Sequence, residues 1–530
     1  MKALLTKLKL VAPSGEINPF VIAVTVTLAT FMEVLDTSIA NVSLPHIAGN
    51  LSAGVDESTW VLTSYLVSNA IVLPLSGWFS SLIGRKRFYM LCVALFTASS
   101  FLCGLAPNLG MLVFFRILQG AGGGGLQPSE QAILTDTFPP ARRGMAFAIY
   151  GIAVVVAPTI GPWIGGWITD NFTWRWIFYI NVPVGILSLL LTSVLISDPP
   201  YMKRQNLREG LRIDYIGIGL LALGLGSMQI ILDKGQREDW FGSNFIRVFA
   251  VLMLVGLVAA VIWELRSKDP VVDLRMLKDR NFALSTTSMF FLGFVLYGST
   301  VMLPQFMQIL LGYNAETSGQ ALMPGGLVIM ACMPLVGMLV SRIEARWLIV
   351  VGSVVVAASL IFMSGWNLQI DFWTAARARM IQGFGLAFLF IPINVAAFTF
   401  VPREKTNMGT GIINLARNVG ASVGIATVTT LLDRRAQVHQ NFLAEHVNAT
   451  NPAYQAAVNG MSQHLTAAGS STVQAAAQSN GLIYGIIQRQ SSLLAYVDNF
   501  RLLAVIFLVL IPLMFLMKKV KPASGTVPVH

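Results

Sequence analysis

The sequence predicts an all-α polytopic membrane protein, with two six-helix halves plus two inserted helices giving 14 transmembrane helices. Three observations predict it. Of the 530 residues, 55% are hydrophobic and 12% charged, where a soluble domain carries roughly a quarter charged. The apolar residues gather into long runs whose connecting segments alternate between rich and poor in Lys and Arg. Two short motifs recur, in order, at nearly the same offset.

A membrane helix needs roughly 20 apolar residues. Runs of that kind lie near 19–41, 58–81, 88–107, 109–134, 144–167, 176–197, 213–232, 244–264, 282–311, 318–341, 347–366, 372–399, 409–432 and 499–517. They are continuous rather than alternating, which excludes an outer-membrane barrel. The composition also excludes a soluble enzyme and a disordered regulator. The first run is too long, and carries too many carboxylates, for a cleavable signal peptide.

An even number of spans puts both termini on one side, and the basic residues choose it. With the N-terminus in the cytoplasm, the cytoplasmic segments hold Lys2, Lys7, Lys9; Arg85, Lys86, Arg87; Arg142, Arg143; Lys203, Arg204, Arg208, Arg212; Arg266, Lys268, Arg275, Lys278, Arg280; Arg342, Arg346; Arg403, Lys405; and Lys518, Lys519, Lys521, which are 24 of 36 basic residues. The opposite segments hold six: Arg175, Lys234, Arg237, Arg434, Arg435 and Arg489. That bias is the positive-inside pattern, so both termini are read as cytoplasmic. The net charge of +11 is then topology facing membrane lipid. No nucleic-acid partner is expected.

Self-comparison gives the architecture. Pro74-Leu75-x-Gly77-x-x-x-Ser81-x-Ile83-x-x-Lys86 returns as Pro334-Leu335-x-Gly337-x-x-x-Ser341-x-Ile343-x-x-Arg346, an offset of 260. Arg116-x-x-Gln119-Gly120-x-Gly122 returns as Arg379-x-x-Gln382-Gly383-x-Gly385, an offset of 263. Halves of the same orientation, with a substrate path between them, are the plan of major facilitator transporters. The expected divisions are a cytoplasmic N-tail 1–18, a first six-helix half 19–200, an inserted pair and linker 201–280, a second half 281–517, and a C-tail 518–530. Within the second half, segment 433–498 is a long Ala/Gln/Ser-rich loop on the outer side. Its apolar residues recur at helical intervals, which predicts packed helices rather than a tether. The competing reading is a surface insertion without a role.

Charge inside the membrane is costly and by default marks a functional site. Glu33 and Asp36 are three apart on the first span, about 21–26 Å from its inner end. Desolvation favours the protonated form of a carboxyl group, which suits such groups to proton coupling. The competing reading is a structural anchor bonded to neighbouring hydroxyls or backbone. Arg116, on the fourth span, reaches a similar depth and is read as their charge partner, or else as a cap on backbone carbonyls. Arg379 is its second-half counterpart. Aligned on Leu44-Pro45 and Leu303-Pro304, the second half offers Val295, Leu296 and Tyr297 and no acid.

Pro158, Gly161, Pro162, Gly165 and Gly166 crowd the fifth span. Proline removes a backbone hydrogen bond and glycine admits a close neighbour, so this helix is expected to bend and pack tightly, or simply to be kinked. Gly120-x-Gly122-x-x-Gly125 formally fits a dinucleotide fingerprint but follows no strand. Cys92, Cys103 and Cys332 lie in apolar runs, and the histidines (His46, His439, His446, His464, His530) are scattered. No metal site is expected.

Several of these stretches resemble one family. Leu35-Asp36-Thr37-Ser38-Ile39-Ala40-Asn41-Val42-Ser43-Leu44-Pro45 resembles the first-helix motif of the 14-span drug:proton antiporters of the major facilitator superfamily. Arg116-x-x-x-Gly120 with Gln119 is similar to their fourth-helix motif. Ala157-Pro158-Thr159-Ile160-Gly161-Pro162-Trp163-Ile164-Gly165-Gly166 is similar to their fifth-helix motif. Gly77-x-x-x-Ser81-Leu82-Ile83-Gly84-Arg85-Lys86 resembles the superfamily's cytoplasmic loop motif, with Ser81 where many members carry Asp and Leu82 where many carry Arg. The likeness is greatest to EmrB-like proteins of the EmrB/QacA group.

The resemblance implies the major facilitator fold and proton-driven efflux of lipophilic drug-like substrates across a bacterial inner membrane. It implies no cofactor beyond the proton gradient. It also implies an EmrA-like periplasmic adaptor and a TolC-like outer-membrane channel as partners, with segment 433–498 as the expected docking place. In the expected cycle, drug occupies a cavity lined by spans 1, 2, 4 and 5 and their second-half counterparts, and protonation of Asp36, assisted by Glu33, releases it. Gly77, Gly84, Arg85, Lys86 and the fifth-span residues would serve the conformational change. The alternatives are a proton-coupled uptake symporter of a small organic solute, or a membrane-embedded enzyme or non-transporting subunit. For an enzyme, no clustered nucleophile or ligand set is found.

Overall fold

In the computed structural model the described residues are 18–139, 142–198, 214–267, 270–445, 447–448 and 450–519. Nearly all of both expected tails, the first part of the linker, and basic residues Lys2, Lys7, Lys9, Lys203, Arg204, Arg208, Arg212, Lys268 and Lys521 lie outside them.

Among the described residues the chain has 14 helices long and apolar enough to cross a membrane, and a further 16-residue helix outside them. The first half comprises α1 (Pro19–Asn50), α2 (Trp60–Ile83), α3 (Arg85–Leu105), α4 (Leu109–Thr137), α5 (Arg143–Asn171) and α6 (Trp176–Leu195). The inserted pair is α7 (Tyr215–Lys234) and α8 (Asn244–Arg266). The second half holds α9 (Arg280–Ile309), α10 (Ala315–Leu339), α11 (Ala345–Met363), α12 (Phe372–Ala397), α13 (Thr406–Ala444) and α15 (Thr472–Met514), with α14 (Pro452–Ala467) between the last two. The face bearing both chain ends is called the terminal face below, and its opposite the far face.

Local chemistry starts and stops these helices. Asn18 accepts from the Phe20 amide at 3.0 Å, with Pro19 opening α1. Asp279, Asn314 and Asp371 accept at 2.8–2.9 Å from the third residue onward to start α9, α10 and α12. Each side-chain cap satisfies an amide that has no partner inside the helix. Between α2 and α3 the chain reverses at Gly84, whose φ of 90° lies in the region that favours glycine. Within the membrane, α4 breaks between Gly123 and Leu126, where the Gly-rich run interrupts the helical pattern. The formal nucleotide fingerprint therefore lies inside a span, with Gly122 against the backbone of Phe96 and Gly125 against Cys92 and Phe88.

The repeated motifs make equivalent contacts. Gly120 of α4 packs on the Tyr65 carbonyl of α2, while Gly383 of α12 packs on the Gly325 carbonyl of α10. Gly77 of α2 meets the backbone of Asn407 and Met408 in α13, and Gly337 of α10 meets that of Gly144 in α5. The two halves thus touch along two seams, α2 with α13 and α5 with α10.

Two boundaries differ from the sequence expectation. The first helix continues through Pro45 to Asn50. Segment 433–498 is mostly a projection of α13 and α15, helices of 39 and 43 residues, capped by α14. At 1.5 Å per residue these helices run about 60 Å, twice the hydrocarbon thickness. Hydropathy stopped where the helices became polar, but Ala- and Gln-rich sequence keeps a high helix propensity. Asp498 accepts from Arg435 at 3.1 Å and contacts His439 at 2.9 Å, pinning the projecting helices together. Tyr454 donates to Asn480 at 2.8 Å and holds α14 against α15.

The inserted helix α7 lies against both halves along the α2–α13 seam. On the α2 side Asp233 accepts from Thr63, and Lys234 donates to Thr59. On the α13 side Ser422 donates to Gln229 at 3.0 Å, the Trp240 indole beyond α7 to Thr430 at 3.2 Å, and Gln236 to Asp433 at 2.7 Å.

Candidate functional site

The two first-span acids point at α4, and successive turns of the two helices meet. Asp36 is 2% exposed and accepts from three donors: Arg116 Nη1 at 2.6 Å, Gln119 Nε2 at 3.0 Å and Asn181 Nδ2 at 2.7 Å. Arg116 also donates through Nε to the Val61 carbonyl at 3.0 Å, and its guanidinium lies 4.3 Å from the centre of the Tyr65 ring. Both sequence readings of Arg116 therefore hold at once: it pairs with the acid and caps a carbonyl. A buried pair of this kind is weak evidence for net stability, because desolvation offsets the attraction.

Glu33, one turn toward the terminal face, does not touch Asp36. It accepts from Gln127 at 2.7 Å, Asn69 at 3.2 Å and Tyr65 at 3.4 Å. From Gln127 the bonding crosses to the second half. Arg417 of α13 donates to Gln127 and, at 3.0 Å, to the Tyr150 hydroxyl. Asn414 of α13 exchanges hydrogen bonds with Gln131 and lies 3.2 Å from Tyr150. Thr410 donates to the Pro128 carbonyl at 3.1 Å. The halves are thus bonded together on the terminal side of Glu33.

On the far side of this network the halves part around a cavity of about 500 Å³. Its wall includes Thr37, Ser38 and Asn41 of α1, Leu62 and Leu66 of α2, Arg116, Pro158 and Pro162 of α5, Tyr297, Gln305 and Gln308 of α9, Gly319 of α10 and Ile425 of α13. Arg116 is its charged member, while Asp36 stands behind it, off the wall. The expectation that span 4's counterpart also lines the cavity is not met, since α12 contributes no side chain to the wall.

The fifth-span residues divide. Pro162 has no N–H to offer the Pro158 carbonyl, and Ser38 of α1 donates to that carbonyl at 3.2 Å. Gly161 faces Ser38 and Gly165 faces Ile39, so α1 and α5 lie in close contact. A side chain at Gly166 would meet nothing within 4 Å, so no close approach there requires glycine. In the loop motif, Arg85 is buried and pairs with Asp136, donating also to the Ala132 carbonyl at 3.1 Å. The acid of this latch comes from the end of α4 rather than from the loop, where Ser81 bonds only its own helix at Trp78. Lys86 donates through Nζ to the Ser193 carbonyl at 2.7 Å and through its amide to Asp198 at 2.8 Å.

In the second half Arg379 keeps the geometry of Arg116 without its acid. It donates to Gln382 at 2.5 Å, Ser299 at 3.3 Å and Thr300 at 2.8 Å. The position matching Asp36 is thus Ser299, not the Val295–Tyr297 stretch expected from the Leu-Pro alignment. Sequence reasoning also missed Asn181, Gln127, Arg417 and Glu130. Glu130 was findable by the rule that selected Glu33, an acid within an apolar run. The amides carry no such signal.

Two same-orientation helical halves around a central cavity, with buried charge at its wall, define a polytopic membrane transporter. Its family follows from comparison. The chain belongs to the major facilitator superfamily, in its EmrB-like branch, and the Major Facilitator Superfamily family model matches residues 26–425. It is 35% identical over 507 residues to the multidrug export protein EmrB of Escherichia coli (strain K12), covering 95% of this chain and 96% of that one. It is 36% identical over 492 residues to the fatty acid resistance protein FarB of Neisseria gonorrhoeae, covering 93% and 94%. Among solved structures, the human organic anion transporter MFSD10 (TETRAN) shares the fold, with a TM-score of 0.61 at 11% identity over 94% of this chain and 100% of that one.

Proposed function

We propose that this protein is a multidrug efflux pump that exchanges lipophilic drug-like compounds for protons across a bacterial inner membrane, with both termini in the cytoplasm. One observation carries the reading: Arg116 lines the cavity between the halves, and its counter-charge Asp36 is bonded to it from behind. Protonation of Asp36 removes the carboxylate's charge and frees the guanidinium, so proton and cargo sense one another through Arg116 without meeting. Exchange then follows if proton-loaded and cargo-loaded states are each able to switch sides. The names of the relatives, multidrug export and fatty acid resistance, support a lipophilic cargo, as does a wall of mostly apolar side chains with a few polar ones. The driving force is the proton gradient, and the protein is a carrier rather than an enzyme.

Asp36→Asn keeps a hydrogen-bonding group of the same size but cannot give up a proton. In inverted vesicles it is expected to lose uphill dye transport; wild-type accumulation on a pH gradient would refute the assignment. We further assign the helical projection of α13, α14 and α15 as the docking place of an EmrA-like adaptor leading to a TolC-like outer-membrane channel. Its far-face position supports this, together with exposed Phe442, Leu482 and Ile486. Deleting 445–471 is expected to abolish adaptor copurification, and unchanged copurification would overturn the assignment.

A further inference from the structure

The ladder between α1 and α4 continues past Glu33. Thr27, Thr30, Glu33 and Asp36 are spaced three apart, so each neighbours the next along an inclined row that winds around α1. They span about 14 Å of helix. Facing them on α4 are Arg116 and Gln119, then Gln127, then Glu130. Thr27 donates to Glu130 Oε1 at 2.5 Å. Glu130 is 0% exposed, and besides Thr27 the group that faces its carboxylate is the Thr30 hydroxyl, so its neighbours on α1 are hydroxyls rather than cations. The terminal-face cavity, about 230 Å³, begins one turn further along at Ile133 and Ile22 and is lined by Arg85, Lys86 and Asp136.

A buried carboxylate held by hydroxyls alone, with no cation bonded to it, is an expensive way to anchor two helices. A glutamine would satisfy Thr27 equally well, without a charge. We infer that Glu130 is a further proton-carrying carboxylate of the exchange cycle, beside Asp36 and Glu33, passing the proton between Glu33 and the terminal-face cavity. The inference rests on the antiport reading above. A proton leaves the Glu33 carboxyl and binds Glu130, restoring the Glu33 carboxylate. It then leaves Glu130 for water in the terminal-face cavity, so one proton enters the relay and one departs. The titratable groups on the surrounding helices are Glu33 of α1, Tyr89 and Arg85 of α3, Tyr150 of α5 and Arg417 of α13. Arg85 is taken up by Asp136, and Arg417 by Gln127 and Tyr150, so neither neutralises Glu130 by a direct bond.

The full chain in proteoliposomes, with Nile red as cargo and pyranine reporting lumenal pH, tests the relay. In Glu130→Gln, gradient-driven Nile red transport and its accompanying proton flux are expected to fall on the order of tenfold or more. Nile red counter-exchange without a gradient, which moves no net proton, is expected to stay near wild type. Gradient-driven transport at the wild-type rate in Glu130→Gln overturns the relay and leaves antiport standing. Loss of counter-exchange in parallel with driven transport also overturns it, in favour of a structural role. Wild-type transport without proton flux overturns antiport itself, and the relay with it. Should Glu130→Gln fail to insert, Glu130→Asp decides: it is expected to transport with a displaced pH–rate profile, and a profile coinciding with wild type overturns the relay.

Discussion

Replacing Arg417 with methionine tests whether the terminal-side network holds the halves together. The guanidinium donates from α13 to Gln127 of α4 and to Tyr150 of α5, 3.0 Å away. Hydrogen bonds from a charged donor contribute about 1.5–3 kcal/mol each. The gross loss is therefore about 3–6 kcal/mol. Two features reduce it: Gln127 and Tyr150 keep Glu33 and Asn414 as neighbours, and the arginine's own burial, with Nε unbonded, already offsets part of the gain. A net loss of about 2 kcal/mol moves the balance between closed and open terminal faces about thirtyfold. Spin labels at Ser81, ending α2, and at Arg342, just beyond α10, report that distance across the halves by double electron–electron resonance. The methionine variant is expected to gain a long-distance population that wild type lacks. An unchanged distribution would show that the network does not hold the face shut.

Other outcomes follow from particular contacts. Gly161→Ala thrusts a methyl into Ser38 and is expected to lower thermal stability by about 1–3 kcal/mol, whereas Gly166→Ala meets nothing and is expected to be neutral or slightly stabilising; melting followed by size-exclusion chromatography compares them. Asp136→Asn leaves the buried Arg85 guanidinium without its counter-charge, a loss of about 3 kcal/mol that a double-mutant cycle with Arg85→Ala is expected to recover in part. Ser299→Asp sets a carboxylate beside Arg379 in the place Asp36 holds beside Arg116. It is expected to be tolerated in the same melting assay, where an acid at buried Ser285 is expected to unfold the protein.

Much of the fold was legible because it rests on quantities a sequence carries directly: apolar run length, basic bias and a repeated Arg-x-x-Gln-Gly. The Asp36–Arg116 pairing was legible for the same reason, since two opposite charges at one depth in hydrocarbon have few other outlets. Register was harder. Aligning the halves on Leu44-Pro45 and Leu303-Pro304 misses Ser299 by four residues, about one helical turn, so the wrong match still presents a plausible helix face. The Arg116–Arg379 offset gives the right one. Asn181 and Gln127 escaped because an amide in a span carries no charge penalty to betray it. The helical character of segment 433–498 was legible in its periodicity, but its continuity with α13 and α15 escaped because hydropathy reports the membrane, not the helix.

The inserted helix α7 breaks the molecule's twofold likeness. It fastens to both sides of the α2–α13 seam, while the α5–α10 seam carries no such cover among the described residues. A compound dissolved in the bilayer therefore meets one shuttered flank and one bare one. No third helix stands between the α5–α10 seam and lipid among the described residues, and any movement that opens the other flank must first peel α7 from Thr59, Thr63 and Ser422.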